Sequence, residues 1–122
     1  MKHNIWYDDQ NDVAFLEFTS NYLQQDVEPI LAKLKELFTG KKLKQLIIIM
    51  SSTYKVENRE TRELSNKGLS ELGVTHIGFV GGSAANRMIA RVLIKTGILK
   101  IDGDFFREKE EAIKWLKSKR SE

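Results

Sequence analysis

Three hydroxyls in a row, Ser51-Ser52-Thr53, stand directly behind a hydrophobic run, Leu46-Ile47-Ile48-Ile49-Met50. A phosphate placed on one of them would add about −1.5 to −2 charges and three acceptor oxygens. Such a group repels or recruits a partner across an exposed surface. The same hydroxyls have a purely structural alternative, because Ser and Thr also cap helices and satisfy turns. Further along, Ile77-Gly78-Phe79-Val80 repeats the design and opens through Gly81-Gly82-Ser83 into a basic helix carrying Asn86 and Arg87. Glycines after a strand let the backbone approach a ligand, and free N–H groups at a helix start favour anions. Arg87 would add a charge-assisted contact. The spacing is neither a dinucleotide fingerprint nor a P-loop, and a tight strand-to-helix turn also asks for glycine.

Other chemistry-bearing residues are scattered. Tyr22 and Tyr54 flank loops near strand ends and are candidates to line a pocket. His3 and His76 are far apart and read as core or surface imidazoles rather than a catalytic base. Trp6, Tyr7 and Trp115 read as core and edge packing. The acidic stretch Asp8-Asp9-Gln10-Asn11-Asp12 is turn chemistry and does not match the helix-flanked calcium loop. No pair of acids is placed by spacing for acid/base work, so no catalytic residue is assigned. No cofactor and no metal are expected.

The elements that must position these residues follow from periodicity. Unalternating apolar runs such as 46–50 and 77–80 are buried parallel strands, covered on both faces. Residues His3–Tyr7 and Val13–Phe18 read as an antiparallel hairpin around the acidic turn. Helices are expected over Gln25–Phe38, with Asp26 as cap and Pro29 in the first turn. A second follows Thr53, polar at first, then apolar through Leu64, Leu69 and Leu72, and closed by Gly73. A third, Ser83–Thr96, turns Ala85, Met88, Ile89, Val92 and Leu93 inward and ends at Gly97. An extended piece, Leu99–Ile101, meets a turn at Asp102-Gly103-Asp104 and the pair Phe105-Phe106. The last helix, Glu108–Lys119, buries Ala112, Trp115 and Leu116. The order β-β-α-β-α-β-α-β-α predicts an α/β sandwich with a mostly parallel central sheet, an antiparallel N-terminal hairpin and about four helices.

Composition sets the outer limits. The 122 residues suit one domain, and neither linker nor repeat divides them. The absence of cysteine excludes a disulfide scaffold, a zinc–thiolate site and thiol catalysis. No run approaches the ~20 apolar residues that cross a bilayer, and residues 1–7 lack the apolar core of a signal peptide. A cytoplasmic location is the resulting expectation. The net charge of +3 is mild and dispersed, unlike the clustered excess of a nucleic-acid binder.

The element order resembles the STAS domains (sulphate transporter and anti-sigma-factor antagonist), above all their small stand-alone SpoIIAA-like relatives in bacteria. The C-terminal stretch carries most of the likeness: Phe105-Phe106, then Glu111-Ala112-Ile113-Lys114-Trp115-Leu116. It is similar to the SpoIIAA-like closing segment, an aromatic residue before a Glu-Ala-x-x-Trp-Leu helix. The 46–50 strand with hydroxyls at its mouth is similar to the strand that delivers the phosphorylatable serine of the antagonists. Those proteins place Asp-Ser-(Ser/Thr)-Gly there, whereas this chain has Met50-Ser51-Ser52-Thr53-Tyr54, without the acid or the glycine.

The resemblance implies a non-enzymatic module that regulates a protein partner or binds a small ligand, with Ser51, Ser52 and Thr53 as phosphorylation or partner-binding positions. Two alternatives stay open. One is a carrier of a lipidic ligand, with an apolar pocket beneath the helix after Thr53. The other is a small enzyme acting on a phosphorylated molecule at Gly81, Gly82, Ser83, Asn86 and Arg87. A homodimer through an exposed helix face is a further expectation.

Overall fold

Hydrophobic side chains alternate between two faces along every interior strand, and that alternation organises the whole structure. The computed structural model describes residues 2–95 and 101–120; of residues 86, 89, 90 and 93–95 it describes the backbone alone. The described residues form strands β1 (Asn4–Asp8), β2 (Val13–Glu17), β3 (Gln45–Met50), β4 (His76–Gly81) and β5 (Asp102–Phe106). Between and after them lie helices α1 (Val27–Phe38), α2 (Arg59–Leu72), α3 (Ala84–Lys95) and α4 (Lys109–Ser118). The sheet order is β1-β2-β3-β4-β5. The first pair is antiparallel and the other three are parallel.

On one face Ala14, Leu16, Leu46, Ile48, Ile77 and Phe79 pack beneath Ile30, Leu34 and Phe38 of α1 and Leu69 of α2. On the other, Val13, Phe15, Ile47 and Val80 meet Ala112 and Leu116 of α4. Leu46 and Ile47 are both 0% exposed, which is why the run between Gln45 and Met50 needs no polar residue on either face.

Local chemistry sets the boundaries. Asp8 Oδ1 accepts from the amides of Gln10 and Asn11 at 3.0 and 3.3 Å, closing the hairpin. Asn58 Oδ1 caps α2 by accepting from the Thr61 amide at 2.8 Å and its hydroxyl at 2.7 Å. Pro29 lies in the first turn of α1, where its missing N–H costs nothing. Asp26 does not cap that helix with its side chain. Its carboxylate accepts instead from the Leu23 amide at 2.9 Å, inside a 3-10 turn over Gln24–Asp26.

Three further expectations from the sequence are corrected. Asp102-Gly103-Asp104 is strand, not turn, because it pairs in parallel with His76–Gly78 and so aligns Phe105 with Phe79. In α3, Ala85 is exposed, as are Met88 at 66% and Val92 at 53%. The reason is position, since this helix meets the sheet at the edge strand β5. Leu64 is 41% exposed rather than buried with Leu69. Gly97, Leu99 and the inward placement of Ile89 and Leu93 lie outside the described residues.

Candidate functional site at the carboxyl ends of the central strands

Because β2 to β5 run parallel, their carboxyl ends share one edge of the sheet, and the segments leading to all four helices leave from it. Met50 pairs with Gly81 in the ladder, and the Gly82 amide then donates to the Met50 carbonyl at 3.0 Å. The two segments singled out by sequence, Ser51–Thr53 and Gly81–Arg87, therefore emerge side by side.

Glycine is required at the second of them. Gly81 and Gly82 have φ of +81° and +83°, and a Cβ on Gly81 would sit 2.3 Å from the Met50 carbonyl oxygen. The pair turns the chain sharply into α3, whose first turn is closed by the Arg87 amide on the Ser83 carbonyl at 3.0 Å. Ser83 and Arg87 are half-buried, and the side chain of Asn86 lies outside the described residues. From Leu72 to Ile101 the sequence holds Arg87, Arg91, Lys95 and Lys100 and no acid, and of these Arg87 lies in the first turn of α3, beside the glycine turn.

The hydroxyl turn is exposed at all three positions. Ser51 Oγ and Thr53 Oγ1 lie 3.3 Å apart, and the Tyr54 amide donates to the Ser51 carbonyl at 3.3 Å. Ser52 Oγ has no hydrogen-bond partner among the described residues. None of the three hydroxyls caps α2, a task Asn58 performs.

Tyr22 and Tyr54 are buried, at 5% and 7% exposure. Both pack on Phe18, with ring centroids 4.7 and 4.9 Å away. The Tyr22 hydroxyl donates to Ser65 Oγ at 2.9 Å. Burial pushes the Tyr22 phenol up to about 12 despite that bond. Burial, followed by the neighbouring Tyr22, raises Tyr54 further still. Their rings occupy the space beneath α2. Tyr54 follows Thr53 directly and so anchors the hydroxyl turn to the core.

Two polar arrangements escaped sequence reasoning because their partners are remote in the chain. His3, 4% exposed, bonds Asp26 Oδ2 through Nε2 at 3.1 Å. Its Nδ1 accepts from the Thr19 amide at 3.3 Å. Burial raises the Asp26 carboxyl, but bonds from the Leu23 amide and His3, with the charge of Lys2, outweigh it and leave the group below its ordinary value. Arg120 donates to Gln45 Oε1 at 2.9 Å, to the Asp12 carbonyl at 3.1 Å and to the Asn11 carbonyl. Gln45, 1% exposed, donates in turn to the Leu116 carbonyl at 3.0 Å. His76 lies at the opposite edge of the sheet, half-buried beside Thr75 and Trp115.

A separate groove of about 710 Å³ runs between α1 and α2. Gly68 in its lining lets the two helices touch, since a Cβ there would strike Leu31 Cδ1. Among the described residues no three His, Asp or Glu side chains are grouped to hold a metal ion, and no helix is long and apolar enough to cross a membrane.

A family model described as "Domain of unknown function (DUF7793)" matches residues 6–120. Among solved structures, the chain is similar to an uncharacterised protein of the DUF3478 family with a SpoIIAA-like fold, from Shewanella loihica PV-4. The two share 15% identity at a TM-score of 0.64, over 93% of this chain and 91% of that one. A likeness at that identity carries the fold and no activity. No curated protein matches the sequence. The chain belongs to the family of the domain of unknown function DUF7793 and has a SpoIIAA-like α/β fold.

Proposed function

We propose that this chain is a non-enzymatic STAS-type module, a single cytoplasmic domain over residues 1–122. It regulates a protein partner or binds a small ligand from the carboxyl edge of β3 and β4. The observation that carries the reading is the hydrogen bond from the Gly82 amide to the Met50 carbonyl. It joins an exposed hydroxyl turn with an unengaged Ser52 to a glycine turn followed by Arg87. A phosphate on Ser52 would extend this edge without disturbing a native hydrogen bond, and Arg87 in the first turn of α3 favours an anion beside it. A small anionic ligand held by Ser83 and Arg87, beside the Gly81-Gly82 turn, would use the same charge.

The enzyme alternative at Gly81–Arg87 would need a base beside that turn, whereas His76 is at the far edge and His3 is buried against Asp26. The carrier alternative places a lipid beneath α2, where Tyr22, Tyr54 and Leu69 are already packed.

The test is the mass of the protein purified from its own cells, taken natively and after denaturation. A covalent phosphate that survives denaturation and maps to Ser51–Thr53 supports the switch. A small molecule lost on denaturation supports ligand binding, and Arg87→Ala should then weaken an anionic one. A chain bare in both states, with partner capture unaffected by Ser52→Asp, would sink the reading.

A further inference from the structure

Two surfaces on the same side of the sheet are complementary to each other. The groove between α1 and α2 is lined by Leu31 and Leu64 and by Glu28, Glu57 and Glu71, against the single base Lys67. Glu28 and Glu71 are exposed and form no ion pair among the described residues. Helix α3 presents the converse pattern: Met88, 66% exposed, beside the exposed Arg91, on a helix with no acidic residue. An apolar strip rimmed by acids and an exposed methionine flanked by arginine make a helix-in-groove match of opposite charge.

The two surfaces cannot meet within one chain. Helix α1 packs on β1 and β2 and touches α2, while α3 packs on β5. Arg91 lies over the Phe105 ring at 5.1 Å, and that ring packs against the cluster that α1 and α2 cover. Helix α1 thus lies toward the β1 side of the sheet and α3 at the β5 edge. A two-fold axis between groove and helix would exchange the two surfaces. A second copy related by such an axis would make both contacts at once and close, as an isologous pair does.

We infer that two copies of this chain pair reciprocally, with α3 of each seated in the α1–α2 groove of the other. The contact leaves Ser51–Thr53 out of its design and stands apart from the proposed strand-end function. Its rim is charged, so the pair weakens as salt rises.

Sedimentation of the full chain over a concentration series, at low and high salt, tests the inference. The wild type should dimerise, less so in high salt. Arg91→Glu and Glu71→Lys should each weaken the dimer at least about tenfold, by setting like charges face to face. Mixed in equal amounts, they should recover it, because one contact then pairs Glu with Lys and the other is native. Met88→Ser, at an exposed position, should weaken the dimer without a charge change and serves if Arg91→Glu fails to fold by circular dichroism. A wild type that stays monomeric would overturn the pairing, as would folded variants that dimerise normally or do not rescue one another. A monomer whose groove takes up a foreign basic amphipathic peptide would overturn it too, and would give the groove to another partner.

Discussion

The Gly82 amide donates to the Met50 carbonyl across 3.0 Å, one residue beyond the last ladder pair of β3 and β4. That single bond turns two segments far apart in sequence into one surface. It depends on backbone that only glycine adopts readily, at positive φ in both Gly81 and Gly82.

Gly81→Ala should therefore be costly. A non-glycine residue at such a φ is strained by about 1–3 kcal/mol, and its Cβ would strike the Met50 carbonyl. The expected loss is about 3 kcal/mol or more, a fall in Tm of roughly 10 °C. Gly82→Ala should cost less, because its nearest obstacle is the mobile end of the Met50 side chain at 3.1 Å. Thermal unfolding of both variants checks the order; equal losses would contradict it.

Ser52→Asp should leave the fold intact, with stability within about 0.5 kcal/mol of wild type, as for an exposed side chain outside any cap. Asn58→Ala, six residues on, should cost about 1–2 kcal/mol by uncapping α2 and stranding the Thr61 hydroxyl, whose residue is 0% exposed. Urea denaturation of the two variants separates a surface position from a structural one.

Arg120→Ala should destabilise by about 1–3 kcal/mol, because it removes the partner of the buried Gln45 Oε1 and frees the hairpin turn. Arg120→Lys should recover little, as one ammonium cannot span Gln45 and both turn carbonyls. A lysine variant with the wild-type denaturation midpoint would show that charge alone suffices.

Alkali should unfold the protein through Tyr22 and Tyr54. Below the ordinary phenol value of 10.0 both groups are neutral, folded or unfolded, and stability is complete. Between there and about 12 the unfolded chain releases a proton that folded Tyr22 retains, so stability falls as pH rises. The ultraviolet absorbance of tyrosinate should rise together with loss of helical signal. Tyr22→Phe with Tyr54→Phe should flatten this limb.

Acid acts through Asp26 in the opposite sense. Its folded value lies below the ordinary 3.8, so its contribution is present above that value and is lost as pH falls through the lower folded one. Asp26→Asn should flatten the acid limb of a stability–pH curve; an unchanged slope would remove Asp26 from the account.

Much of the fold was legible in the chain because its signals are local. The runs at Leu46–Met50 and Ile77–Val80 have no polar face, and only a strand covered on both sides accommodates that. The acidic turn after Asp8, the stripe of α1 and the buried pair Ala112 and Leu116 all follow from spacing within a few residues. Asp102-Gly103-Asp104 misled, since its turn-forming composition was overridden by pairing with β4 at the sheet edge. The stripe of α3 misled as well: helical periodicity marks an apolar side but cannot tell whether that side meets a core or the margin of a sheet.

The hydroxyl turn and the glycine turn could each be found in the sequence, but their adjacency could not. Parallel pairing of β3 with β4 decided it, by bringing Met50 opposite Gly81. The His3–Asp26 and Gln45–Arg120 contacts likewise depend on residues that only folding brings near. Sequence by itself determined the elements and the faces they bury, because those depend on neighbours along the chain. Tertiary structure alone decided which polar groups share an edge, because hydrogen bonds and charge act through space.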